Sequence, residues 1–181
     1  MRPVHMADTR SEGQRMAARV GMALLMVTVS LLFGVMSVSY LSGTHGEAAI
    51  ELPILFWINV LPLAASSFAL HMAWMRRGRP ASRYWGAAAA VIALLFMVLQ
   101  AAAWVQMTQA GLTLSGAGRR VSYLYVLSGL HVLHLVAGWI YFMAVLVAPR
   151  RVRESAELAL FFWHFLGILW VYLLAVMAIA G

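Results

Sequence analysis

The chain has no cysteine, and every one of its 13 basic residues is arginine. Without cysteine there is no disulfide, no thiolate metal site and no thiol nucleophile. Charge is scarce as well, at 10% of 181 residues. A soluble domain carries charge on roughly a quarter of its residues, so only a short tail and short loops remain for water. The six acids are Asp8, Glu12, Glu47, Glu51, Glu154 and Glu157, and none falls in the middle of a long apolar run. Glu51 and Glu157 stand near helix starts, where the macrodipole favours negative charge. No run holds an interior Asp, Glu, Lys or Arg, the kind of group that an ion-coupled transporter uses as a relay. There are also no two obvious repeated halves, so the transporter class is disfavoured.

What is present is apolar: 64% of the residues are hydrophobic. A hydrocarbon core of about 30 Å needs about 20 residues to cross it. Five runs meet that length: Val20 to Leu41, Leu52 to Met75, Tyr84 to Met107, Ser122 to Ala148, and Leu158 to Ala180. The expected fold is all-α, a polytopic five-transmembrane-helix bundle. Residues 1–19 form an N-terminal tail and residues 20–181 the helical domain. The first run is longer than the h-region of a secretion signal, typically about 7–15 residues, and is read as a retained span.

Arginine placement sets the orientation, because cytoplasmic loops carry the basic excess. Arg2, Arg10, Arg15 and Arg19 lie in the tail. Arg76, Arg77, Arg79 and Arg83 lie in the second loop, and Arg150, Arg151 and Arg153 in the fourth. Only Arg119 and Arg120 fall on the other side, with Glu47 and Glu51 in the first outer loop. The tail is therefore cytoplasmic and the C-terminus outside. A pI near 10.8 often points to nucleic acid, but arginines gathered at helix ends point to a membrane surface and to no nucleic-acid partner.

Polar groups inside the spans form a seam. In the second span Asn59, Pro62, Ser66 and Ala73 share a face. Pro62 removes a backbone donor and is expected to kink the helix. The third span repeats Gly86, Ala90, Ala93, Met97, Gln100 and Trp104, a packing stripe with one amide. In the fourth, His131 and His134 are three residues apart on one face, joined by Ser128, Gly138 and Tyr141. Val132, Val136, Trp139, Ile140 and Met143 take the opposite face, expected to meet lipid. Tyr40, Trp74, Tyr84, Trp85, Trp104 and Tyr123 lie near span ends as interfacial aromatics. Trp163, Trp170 and Tyr172 sit deeper in the last span.

Three readings of His131, His134 and His164 stand side by side. They are structural or lipid-contacting, hydrogen-bonding across helices; or axial ligands of a haem; or ligands of another metal. Two histidines three apart cannot clasp one haem from both sides, and no acid or thiolate completes a metal set.

Two motifs carry a family resemblance. Ser-Gly-Leu-His-Val-Leu-His-Leu-Val-Ala-Gly, from Ser128 to Gly138, looks like a Gly-x-His-x-x-His-x-x-x-Gly helix. Phe162-Trp163-His164-Phe165-Leu166, followed by Trp170, looks like a Trp-His-Phe-Val-Asp-x-x-Trp helix. In this order the chain resembles subunit III of the haem-copper respiratory oxidases, in a divergent, short, bacterial form, from about Arg19 onward. Arg19-Val20-Gly21-Met22, Asn59 with Ser66-Ser67, and Leu99-Gln100 with Trp104 also fit. Membrane-embedded acids of that family are replaced here by Val29, Ala103 and Gly167.

The resemblance implies a multi-pass subunit of the bacterial inner membrane, with no catalytic residue and no metal of its own. It implies contact with subunit I and other subunits of an oxidase of aerobic respiration, haem and copper residing in the partner. Support of assembly, of lipid retention and of the stability of subunit I is the implied role. His131, His134, Gly138, Trp163, His164, Phe165, Trp170, Asn59, Ser66 and Gln100 become structural or lipid-contacting residues. Phospholipid is expected between the first two spans and the other three, with Arg76, Arg77, Arg79 and Arg83 at its headgroup. The missing acids leave one alternative, an accessory subunit of a nitric oxide reductase; the histidines leave another, a small haem-binding membrane cytochrome.

Overall fold

The computed structural model describes residues 4–44, 46–47, 50–114, 118–147 and 155–180. Arg2, Ala148, Arg150, Arg151, Arg153 and Glu154 lie outside the described residues, and for Asp8 and Arg10 only the backbone is described. All described secondary structure is helical: α1 (Val4–Gly43), α2 (Ile54–Ile58), α3 (Val60–Met75), α4 (Ala81–Gln109), α5 (Arg119–Val147) and α6 (Ser155–Ala180). Among the described residues, 5 segments are long and apolar enough to cross a membrane, with α2 and α3 together forming the second. The tail is less separate than its charges imply, because α1 runs unbroken from Val4 into the first span.

The break between α2 and α3 falls at Asn59, where the sequence asks for one. Pro62 has no N–H to give the Ile58 carbonyl, and its ring crowds that carbonyl. The backbone recovers through Asn59 N–H to Leu55 O, 3.0 Å, and Leu63 N–H to Asn59 O, 3.5 Å. The kink turns the Asn59 side chain fully inward.

The bundle is arranged around α6, which packs on α5, α3 and α1; α3 and α4 form the most extensive pair. Close approach is built from missing side chains. A Cβ on Gly138 of α5 would meet Leu166 Cδ1 and Phe162 Cε1 of α6, both at 3.2 Å. On Gly86 of α4 it would meet Leu146 Cδ1 of α5 at 2.8 Å. The third-span stripe holds: Gly86, Ala90, Ala93 and Gln100 are buried, with Met97 and Trp104 half-buried.

The fourth-span faces need correction. Val136 and Ile140 are exposed as expected, but Val132, Trp139 and Met143 are half-buried against the core, and Trp139 Nε1–H donates to Ala90 O of α4 at 3.1 Å. An indole N–H withdrawn from water is stabilised by an acceptor. The backbone carbonyl beside the small residues of α4 is within its reach.

Polar contacts tie both ends of the bundle. At one end Arg19 of α1 approaches Glu157 in the first turn of α6, 3.6 Å. At the other, the buried Arg120 side chain donates from Nη2 to Thr44 O (3.0 Å) and Glu47 O (3.2 Å). The Glu47 carboxylate accepts from Arg120 N–H at 2.9 Å, a negative group at the start of α5, where the helix dipole favours it. This latch holds the α1–α2 connection onto α5.

Candidate functional site

The two histidine motifs meet in the middle of the bundle. Ridge packing of α5 on α6, allowed by Gly138, brings the His131 ring onto Trp170, with centroids 5.0 Å apart and planes 25° from parallel. Phe33 of α1 and Phe96 of α4 meet His131 edge-on at 6.4 and 6.3 Å. Phe56 of α2 stacks on the other ring, 5.9 Å from Trp170. His131 and Trp170 are both completely buried. Every transmembrane segment thus contributes a ring to one aromatic layer. Offset stacks and edge contacts of this kind add about 0.5–1.5 kcal/mol each beyond area burial.

A polar layer adjoins it. Asn59 Nδ2 donates to Gln100 Oε1 at 3.0 Å, joining the kink of the second span to α4. Ser66 Oγ donates to Ala89 O at 2.9 Å. Trp104 Nε1 donates to Ser128 Oγ (3.0 Å), which in turn donates to Leu124 O (2.7 Å). The seam read from the sequence thus includes three bonds between helices, Asn59–Gln100, Ser66–Ala89 and Trp104–Ser128. Their neighbours include buried atoms with no hydrogen-bond partner: both His131 nitrogens, Trp170 Nε1, Trp163 Nε1, Asn59 Oδ1 and Gln100 Nε2.

The histidines divide by environment. His134 is half-buried, its Nδ1 2.7 Å from Leu130 O. A carbonyl only accepts, so Nδ1 carries the proton. Its ring meets Phe33 at 5.6 Å. His164 does not join this layer. It faces His71 of α3, with ring centroids 6.0 Å apart. Phe165 stacks on Phe162 at 6.2 Å, and Trp163 is buried at the α6 core.

Aromatic rings stand around His131 where a porphyrin would have to lie, so the residues here do not fit a haem. Among the described residues no three His, Asp or Glu side chains gather as a metal set would require. Within the spans His131 stacks on Trp170 and His134 hydrogen-bonds to its own helix.

The arginine loop builds a different kind of site. The ends of α3, α4, α5 and α6 enclose a cavity of about 610 Å³. Arg77, Arg79, Arg83 and Ser82 line it beside the apolar Leu70, Phe142, Leu146 and Leu160. Arg77 lies over Trp74 at 3.4 Å. Arg76 instead lies over Trp85 at 5.1 Å. This cavity involves spans two to five. The first span packs elsewhere, on α5 and α6, so the bundle does not divide into the first two spans against the other three.

Four participants, His71, Phe33, Phe56 and Arg120, were given no packing or site role from the sequence. His71 lacks a motif around it, and its i, i+4 spacing from Ser67 was the available signal. Phe33 and Phe56 look like ordinary apolar residues in apolar runs. The buried role of Arg120 has no local cue, since it follows an exposed arginine.

No family model matches the chain. Among curated proteins, a "Cytochrome c oxidase subunit 3" from Thermostichus vulcanus is 26% identical over 181 residues, spanning 88% of this chain and 86% of the relative.

Proposed function

We propose that this chain is a non-catalytic, multi-pass subunit of a haem-copper respiratory oxidase in a bacterial inner membrane. The observation that carries the reading is the similarity to a cytochrome c oxidase subunit 3 over 88% of the chain. The packing agrees with a scaffold: the motif residues His131, Gly138, Trp163 and Trp170 serve the helix core. In this reading the chain supports subunit I through assembly and retained lipid, and the haem and copper belong to the partner. The replacement of embedded acids by Val29, Ala103 and Gly167 removes carboxylates that would bear on proton uptake.

The arginine-lined cavity is assigned to an anionic phospholipid. Arg77, Arg79 and Arg83 face the headgroup, and the apolar wall takes part of an acyl chain. Each basic side chain near the surface adds roughly 1 kcal/mol of attraction to anionic lipid. The N-terminus is assigned to the cytoplasm from the arginine bias. Reporter fusions after Arg79 and after Arg119 are expected on opposite sides.

Purification of the tagged full chain from its native membrane in mild detergent tests the reading. A haem-copper subunit should co-purify with the chain, and the complex should consume oxygen. A complex that reduces nitric oxide instead would make it a subunit of that reductase, and no haem-copper partner at all would overturn the proposal. Native mass spectrometry of the same material should find bound phospholipid, diminished when Arg79 and Arg83 are neutralised.

A further inference from the structure

A second cleft, of about 300 Å³, opens between α3 and α6 on the flank of the bundle. Its walls are mostly apolar, but Ser67 and His164 line it, as does Gly167. A Cβ on Gly167 would stand 3.6 Å from Ser67 Oγ and 4.0 Å from Leu63 Cγ. The glycine therefore relieves no clash; it keeps the cleft wide. His71 stands beside it, exposed, with its ring 6.0 Å from that of the half-buried His164.

Both residues lie within membrane-spanning segments, Ile54–Met75 and Ala156–Ile179. Neither imidazole has a hydrogen bond to another described residue, whereas His134 has one to its own helix. A polar ring turned outward inside a span is unfavourable until it finds a partner. The acids in the described spans are Glu12 and Glu157, each at the very start of its span, and Glu157 approaches Arg19.

We propose that the α3–α6 cleft receives a transmembrane helix of another subunit, one that carries a carboxylate at the depth of His71 and His164. This rests on the reading of the chain as a subunit of a membrane complex, and assigns that reading a surface. Two imidazoles converge from two helices, and a carboxylate offers two acceptor oxygens to their N–H groups. Ala64, Ser67 and Gly167 keep the wall low, so a helix backbone approaches closely. An acyl chain would fill the apolar walls and leave both imidazoles unpaired.

Photo-crosslinking in the native membrane tests this. A benzophenone side chain is placed at Ile168, which lines the cleft and is 71% exposed. The control position is Leu133 on α5, 62% exposed. The Ile168 adduct is expected to map to a transmembrane segment of another subunit, with Asp or Glu within one turn of the attachment point, and the Leu133 adduct is not. Replacing both histidines (His71→Ala, His164→Ala) should weaken retention of that subunit by roughly three- to tenfold, the range expected for interhelical hydrogen bonds. The Ile168 adduct needs no histidine variant, so it stands even if the double variant folds poorly. Adducts to lipid only, to a second copy of this chain, or to a segment without an acid would overturn the proposal. If a haem-copper subunit co-purifies but crosslinks from Leu133, the docking surface is wrong and the oxidase reading stands. If Ile168 captures an acid-bearing helix from a complex without haem or copper, the oxidase reading falls and the docking surface stands.

Discussion

The first and last spans are equally apolar, with mean hydropathy 2.2 and 2.1, yet in an apolar 18-residue stretch of each, 17% of the residues are buried inside the bundle in the first and 56% in the last. In α1, Leu24, Leu31, Val35 and Val38 all turn outward, while Val29, Phe33 and Tyr40 turn inward. In α6, Trp163, Leu166, Trp170 and Leu173 are sealed. In water such a difference would be written as amphipathicity. In a bilayer the surroundings are as apolar as leucine, so hydropathy does not separate lipid-facing from core-facing residues. Shape does: α6 carries the large rings and faces the glycine of α5, while α1 presents aliphatic residues with nothing to interlock.

The largest expected effect tests that contrast directly. Trp170→Ala removes a completely buried ring that touches His131, Phe56 and Phe96. The loss should be about 3–5 kcal/mol, the usual cost of deleting a large buried aromatic. Leu31→Ala on the outer face of α1 should change stability by less than about 0.5 kcal/mol. Unfolding titrations of the full chain in mixed micelles would read both. Similar losses would mean that burial does not separate the two helices.

A glycine pair asks the same question through close approach. Gly138→Val should cost about 1–3 kcal/mol through overpacking, because Phe162 and Leu166 already stand at 3.2 Å from the added carbon. Gly34→Val on α1 has nothing within 4 Å to meet and should be nearly neutral in the same titration. A stable Gly138→Val protein would imply that α5 and α6 are free to separate.

The smallest effect concerns polar groups. Gln100→Leu should cost on the order of 0.6–2 kcal/mol, since it strands Asn59 Nδ2 in the core. Adding Asn59→Leu should recover part of that loss, which a double-mutant cycle measures. Thr28→Val, whose hydroxyl bonds only to Leu24 O on the exposed side of α1, should cost almost nothing. Strict additivity of the Asn59 and Gln100 losses would show that the amide bond adds nothing between α2 and α4.

Much of this was legible in the sequence. Run lengths gave five crossings, and Pro62 gave the break after Ile58. The spacing of Gly86, Ala90, Ala93 and Gln100 gave the buried stripe of α4. His131 and Ser128 were correctly placed on the inner face. The candidate residues were not one site, however. His131 and Trp170 come together, His164 turns away toward His71, and the arginines of the second loop serve a cavity at one end. Trp139 was assigned to lipid and reaches α4 instead.

The physical reason is the same throughout. Chain-local chemistry determines how long a helix is, where a proline breaks it, and which charges stay in water. These the sequence by itself decided for this protein. Which helix lies beside which was left to tertiary packing, because each apolar face is equally content against lipid or protein. Asn59 found Gln100 across 41 positions and Trp139 found Ala90 across 49. Hydropathy selects neither partner. The choice is made by shape, in the close approaches at Gly86 and Gly138, and by the acceptors that donors such as Asn59 Nδ2 and Trp139 Nε1 reach.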